Sequence, residues 1–189
     1  MFDIEFISEI DSTNTYARQA LADLPNFKVI SADLQTGGRG QFERSWLSSA
    51  KNGGNCYISI VLKPENIEHL GELTKYSSLA VAKTLEAYGF APRLKYPNDV
   101  LVEGKKIAGV LAESVFIGKV LKGVIVGIGV NLNLEAEELN MINIVDIGAT
   151  SIYNEIGENV DKNEFIERLI GNFFENYEEF LKDGIGEIK

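Results

Sequence analysis

The run DVLVEGKKIAGVLAESVFIGKVLKGVIVGIGVNLN, Asp99 to Asn133, limits this chain more than any other feature. It is dominated by valine, isoleucine and leucine, and it is broken at Glu103-Gly104 and again near Gly118. β-branched residues fit a pleated, half-buried surface, and a short glycine-containing break between two such runs signals a hairpin. Consecutive hairpin-joined strands are therefore expected here, which commits the chain to a sheet that is largely antiparallel.

Further strands are expected at FDIEFI (Phe2–Ile7), KVISADLQ and CYISIVLK (Cys56–Lys63, stopped by Pro64), with a short one at RLKY (Arg93–Tyr96) closed by Pro97. A helix follows the first strand, with Ser12 or Thr13 as N-cap and YARQAL inside it. Leu70, Leu73, Leu79, Ala82 and Leu85 fall mostly at helical spacing between Ile67 and Tyr88. A final helix is expected over about Lys162–Lys182, where Phe165, Leu169, Phe173 and Tyr177 recur every fourth residue on one face. The expectation is an α+β fold in which a mixed, largely antiparallel sheet packs against helices, with residues 1–189 as a single domain.

Composition narrows the function classes. With 45% hydrophobic residues the chain can build a core, so disorder is excluded. No apolar run reaches the ~20 residues that span a membrane, and the start MFDIEFISEI lacks the basic region of a signal peptide. A lone cysteine, Cys56, has no internal disulfide partner, as expected of a cytoplasmic protein. Residues 1–133 balance 14 acidic against 14 basic side chains, whereas residues 134–189 hold 14 acidic and 4 basic. That tail disfavours nucleic acid as a partner, since such binding rests on neutralising phosphates. The one histidine, His69, has no second histidine for a zinc site or a proton relay, and no GxxxxGK[ST] loop occurs. Any catalysis must rest on positioning and fixed cations.

Four segments carry such chemistry, each beside a plainer reading. In ADLQTGGRGQFERSW (Ala32–Trp46) the glycines admit close backbone approach, and Arg39 and Arg44 suit a carboxylate or phosphate; a mobile surface loop reads the same way. In LKYPNDVLVEGKKIAGVLAE, Asn98 and Asp99 set an amide and a carboxylate at a strand mouth, where Asp99 either binds Mg²⁺ or opens an Asx turn. Lys106 precedes an apolar strand and points beside a buried face, while Lys105 alternates to solvent. In VIVGIGVNLN, Gly127 and Gly129 mark close approach by a ligand or by backbone, or else tight packing against a helix, and Asn131 can both donate and accept, as adenine requires. DSTNTYA is a hydroxyl-rich helix start, for which plain capping is the bland account.

STN, QTGGRGQFERSW, KYPND, KKIAGVLAE and GIGVN, in that order over residues 11–133, resemble the biotin protein ligase family, also called biotin–[acetyl-CoA-carboxylase] ligase. The resemblance implies the fold of a biotin/lipoate ligase catalytic domain and an ATP-dependent, AMP-forming ligase. Biotin is activated to biotinyl-5′-AMP and then passed to a lysine of a biotin carboxyl carrier protein. Both nucleophiles belong to substrates, which fits a chain without a catalytic serine, cysteine or histidine. Carried over, Ser12, Thr13 and Gln35 bond the biotin ureido ring, and Gly38 and Gly109 let backbone approach it. Arg39 meets carboxylate and phosphate, Arg44 orders the loop, and Lys106 bridges carboxylate and α-phosphate. Asn98 and Asp99 serve phosphates and Mg²⁺, Asn131 faces the adenine, and Trp46 covers the adenylate or anchors the loop, which thus becomes a lid.

Three departures from the family pattern stand out. The loop usually reads GRGRxGR, and here Gln41 replaces an arginine at the adenylate and Glu43 a glycine, so weaker retention of the adenylate is expected. WPND is replaced by YPND, and Tyr96 is expected to pack as the larger ring does. The usual C-terminal β-barrel is expected to be absent, and the ten or so residues before the STN segment suggest the type without a helix-turn-helix. A homodimer through sheet edges is compatible with the family. The rival readings are a lipoate or octanoyl transferase of the same fold and a non-catalytic biotin or adenylate sensor.

Overall fold

The structure, a computed structural model, describes residues 2–40, 45, 46, 48, 54–142 and 147–187. Its strands are β1 (Ile4–Ile10), β2 (Val29–Gln35), β3 (Asn55–Leu62), β4 (Arg93–Lys95), β5 (Asp99–Val102), β6 (Lys105–Ile117) and β7 (Val120–Asn131). They form one sheet in the order β1-β2-β3-β7-β6-β5-β4. Its right half is the expected meander. Glu103 and Gly104 both have positive φ, 49° and 76°, the backbone of a tight hairpin turn whose twist matches the strands it joins. The left half departs from a hairpin-connected sheet, because β1 and β2 run parallel and helix α1 (Thr13–Gln19) crosses between them. The sheet is therefore mixed, and its other pairings are antiparallel.

The two faces of the sheet do different things. Along β3, Cys56, Ile58, Ile60 and Leu62 enter a large core with α2 (Leu73–Glu86) and α5 (Lys162–Glu175). The alternate residue Val61 joins a smaller core with Ala17, Leu21, Ile30 and Ile125 around α1. Asn55, Tyr57 and Ser59 lie on this second face by the two-residue period of a strand. Their partners on β7 are Asn131, Gly129 and Gly127, and Gly129 is opposite Gly109 of β6. The second face thus has a glycine floor on β6 and β7, and the site forms there.

Two expectations are corrected. The last helix is not continuous to Lys182; it breaks at Asn176 and resumes as α6 (Tyr177–Asp183). The Tyr76 hydroxyl donates to the Phe173 carbonyl, which an unbroken helix would offer to the N–H four residues on. Tyr96 does not pack: it is 92% exposed, just past the edge strand β4, whose own residues all face solvent. The remaining elements differ by a residue or two, except that β1 is shifted later and a 3₁₀ turn, Leu70–Glu72, precedes α2. Two short helices, α3 (Ala136–Asn140) and α4 (Ile152–Ile156), follow β7.

Candidate functional site

The site begins at the N-terminus of α1. Ser12 is the N-cap, its hydroxyl 3.4 Å from the Thr15 N–H. Thr13 donates through its N–H (2.8 Å) and its hydroxyl (3.1 Å) to Oε1 of Gln35 at the end of β2. Ser59 Oγ lies 2.7 Å from Thr13 Oγ1 and 2.5 Å from Asn14 Oδ1. Asn14 then donates through Nδ2 to Glu113 Oε2 (2.8 Å), which also accepts from Arg39 Nη2 (2.9 Å). Gly127 makes room for this chain: a Cβ there would come 2.4 Å from Asn14 Oδ1.

After β2 the chain folds back over the sheet. Thr36 N–H and Gly37 N–H donate to the carbonyls of Ile10 and Asp11 (2.9 and 2.7 Å), extending the parallel pairing into the loop. Trp46 N–H donates to Gly38 O (2.9 Å), and Arg39 bridges to Ser45. Gly38 is required by this return, since a Cβ there would meet Trp46 O at 2.8 Å. The Trp46 indole rests on the glycine floor, where added methyl groups at Gly109 and Gly129 would sit 2.8 and 2.7 Å from its ring. Its Nε1 is buried and has no hydrogen-bond partner among the described residues. Lys106 Nζ stands 5.2 Å from the ring centroid, within cation–π range.

Lys106 is held by more than the indole. Its Nζ is 2.6 Å from Asp99 Oδ1, and both side chains are over four-fifths buried. Its backbone bonds Gly148 O (3.1 Å) and Thr150 N (2.9 Å). Asn98 uses Nδ2 on Val110 O (3.0 Å), which ties the strand mouth to β6. Asn131 donates to Thr150 O (2.9 Å), and across the ladder Asn55 donates to Tyr57 Oη (2.7 Å). Among the described residues neither Asn131 Oδ1 nor Asn55 Oδ1, both buried, has a partner, which leaves two acceptors for an amino group.

Ser12, Thr13, Gln35, Gly38, Arg39, Trp46, Asn98, Asp99, Lys106, Gly109 and Asn131 thus gather on or beside one face of the sheet. Gln41 and Arg44, with the expectation of weaker adenylate retention, lie outside the described residues. The close approach expected at Gly127 and Gly129 is made by the protein's own Asn14 and Trp46. Sequence reasoning missed Ser59, Glu113 and Asn55 as parts of the site. Each carried a signal, a polar side chain inside or ending an otherwise apolar strand, which needs a reason to be there. Cys56 faces the opposite core, and burial pushes its thiol up to about 12, so it is no nucleophile. His69 sits at the 3₁₀ turn, its Nδ1 3.9 Å from Glu72. The floor, the paired cations and the orphan amide acceptors suit a planar, anion-bearing ligand laid along the sheet.

Residues 6–131, two thirds of the chain, match the model of the biotin/lipoate A/B protein ligase family. The bifunctional ligase/repressor BirA of Bacillus spizizenii is 33% identical over 183 residues, covering 95% of this chain and 55% of that protein. Biotin–[acetyl-CoA-carboxylase] ligase of Paracoccus denitrificans is 35% identical over 179 residues, 88% of this chain and 70% of that protein. The chain therefore spans about half the length of several curated relatives it matches. Among solved structures, biotin protein ligase from Aquifex aeolicus in complex with biotin and ATP superposes with a TM-score of 0.82 at 30% identity, over all of this chain and 76% of that one. A match this long, carried by the strands and loop that build the site, makes the chain a member of the biotin/lipoate A/B protein ligase family.

Proposed function

We propose that this chain activates biotin with ATP and transfers it to a lysine of a biotin carboxyl carrier protein, with residues 1–189 as its catalytic unit. The observation that carries the reading is the placement of Lys106 at the rim of a glycine floor that begins at the hydrogen-bonding end of α1. A ligand with a polar ring at one end and a carboxylate at the other fits that layout. Relatives named as biotin ligases support biotin over lipoate.

The two steps balance without an enzyme nucleophile. A carboxylate oxygen of biotin bonds the α-phosphorus of ATP as the bond to pyrophosphate breaks. The carrier amine then attacks the acyl carbon, and AMP leaves. The protein must hold two anions together, so the rate depends on the cations it brings to them. Lys106 and Arg39 supply them. Ser12, Thr13 and Gln35 serve the ureido ring, with Gly38 and Gly109 leaving backbone open to it. Asn98 serves the nucleotide phosphates, Trp46 gives up the glycine floor to the ligand and covers it, and Asn131 accepts from the adenine amino group, where its Oδ1 has no partner among the described residues.

No group of three acidic, histidine or cysteine side chains among the described residues forms a metal cage, and Asp99 is paired with Lys106. That donor set fits a magnesium ion carried on ATP phosphates with Asp99 as its protein ligand, not a resident metal. Bound there, the ion would neutralise phosphate charge. No helix among the described residues is long and apolar enough to cross a membrane, and the unpaired buried Cys56 suits the reducing cytoplasm. Biotin-dependent exchange of labelled pyrophosphate into ATP tests the first step, and labelling of a carrier-domain lysine tests the second. Absence of biotin-dependent exchange overturns the reading; exchange without carrier labelling overturns the transfer step and favours a sensor.

A further inference from the structure

Glu113 ends the KKIAGVLAE motif and plays no part in the chemistry just described, yet three donors converge on its carboxylate. Asn14 Nδ2 is at 2.8 Å and Arg39 Nη2 at 2.9 Å, both on Oε2, and Arg18 Nη1 lies 4.0 Å from Oε1. The Glu113 side chain is 20% exposed and that of Arg39 42%. Through Asn14 and Ser59 the same carboxylate connects to Thr13 and Gln35, so both ends of the 35–39 segment are tied to it. We propose that Glu113 is the positioning residue of Arg39: it holds the loop arginine in the ligand-free protein and yields it to an anionic ligand.

The two attachments lie apart along the sheet. Lys106 Nζ lies beside Gly109, 3.3 Å from a Cβ built there. Glu113 is four residues further along the same strand, about 13 Å away at the usual strand rise. A guanidinium drawn to Glu113 is thereby held back from an anion beside Lys106. A carboxylate on the protein thus stands where Arg39 waits, and the ligand's phosphate replaces it. The inference rests on the ligase reading only for the identity of that ligand.

One arm of the test needs no ligand. Trypsin takes arginine into an acidic pocket, so a guanidinium held by Glu113 is a poor substrate. Glu113→Gln keeps an oxygen for Asn14 and removes the charge. At low salt this variant is expected to be nicked after Arg39 about three- to fivefold faster than wild type. The difference should disappear at 1 M NaCl, where screening acts over about 3 Å, and Glu113→Asp should restore the slow, salt-sensitive cutting. Equal low-salt rates in wild type and Glu113→Gln overturn the proposal. In the second arm, Glu113→Gln should bind biotinyl-5′-AMP about threefold more tightly, with biotin affinity changed less than twofold. Unchanged or weaker adenylate binding also overturns it. If wild type binds neither biotin nor the adenylate, the ligase reading falls, and the trypsin arm still decides whether Glu113 holds Arg39.

Discussion

The indole of Trp46 lies against the backbone of Gly129, so closely that a methyl group at 129 would come within 2.7 Å of Cε2. Gly129→Ala must therefore push the ring off the floor, a clash of the kind that costs about 1–3 kcal/mol when it cannot be relieved. Because Trp46 is the only tryptophan, its emission reports on the ring directly. The variant is expected to emit further to the red than wild type and to lose biotin-dependent pyrophosphate exchange. An unchanged emission maximum would show that the ring does not rest there.

Lys106 and Asp99 form a pair that is over four-fifths buried on both sides. Truncating either leaves the other charge short of a partner, and neighbours in such a pair couple by about 0.5–3 kcal/mol. In a double-mutant cycle of Lys106→Met and Asp99→Asn, the double variant should be more stable than the sum of the single losses predicts. Activity should not recover with stability: pyrophosphate exchange should fall by about 10²–10³ wherever Lys106 is gone, as for loss of a fixed charge-stabilising donor. Additive stability losses would mean that the two charges do not sense each other, and normal exchange in Lys106→Met would remove Lys106 from the chemistry.

The hairpins were legible because turn chemistry is local: Glu103-Gly104 announces itself by sequence and adopts the positive φ values expected. The glycines of GIGVN and Gly109 were legible as places of close approach, but what approaches was not. Trp46 reaches them across 63 and 83 positions of chain, and Asn14 reaches Glu113 across 99. Parallel pairing of β1 and β2 was likewise hidden, since strand periodicity is the same in either direction. Tyr96 misled because its packing was carried over from the larger ring of the family pattern, whereas its exposure follows from the edge position of β4.

Burial pushes the Cys56 thiol from 9.0 up to about 12. The unfolded thiol ionises above about pH 9 while the folded one stays protonated, so over that window the unfolded state binds fewer protons. Stability then falls as pH rises. Buried Tyr76 and Tyr177, raised in the same direction by desolvation first, add to the trend. Cys56→Ala should flatten the decline between pH 9 and 11 measured by urea unfolding, and native wild-type protein at pH 8 should resist thiol reagents until unfolded. An identical pH slope in the variant would remove Cys56 as a cause.

Two tyrosines at the helix break make opposite predictions from similar positions. Tyr76 donates its hydroxyl to Phe173 O and stacks on Phe180 at 4.3 Å between centroids, so it fastens α2 to the end of α5 and to α6. Tyr177 is equally buried, but its hydroxyl has no hydrogen-bond partner among the described residues. Removing one partner of a buried hydrogen bond strands the other, whereas removing an unpaired hydroxyl relieves a desolvation cost. Tyr76→Phe should therefore lose about 1–2 kcal/mol in urea unfolding, and Tyr177→Phe should be neutral or more stable. The break itself is the further test: with Phe173 O released, Tyr76→Phe should allow α5 and α6 to join. Hydrogen exchange would then slow at the Tyr177 N–H, the donor that a continuous helix directs to Phe173 O. Faster exchange there, with Tyr177→Phe the less stable variant, would show that the break has another cause and that the Tyr177 hydroxyl is bonded.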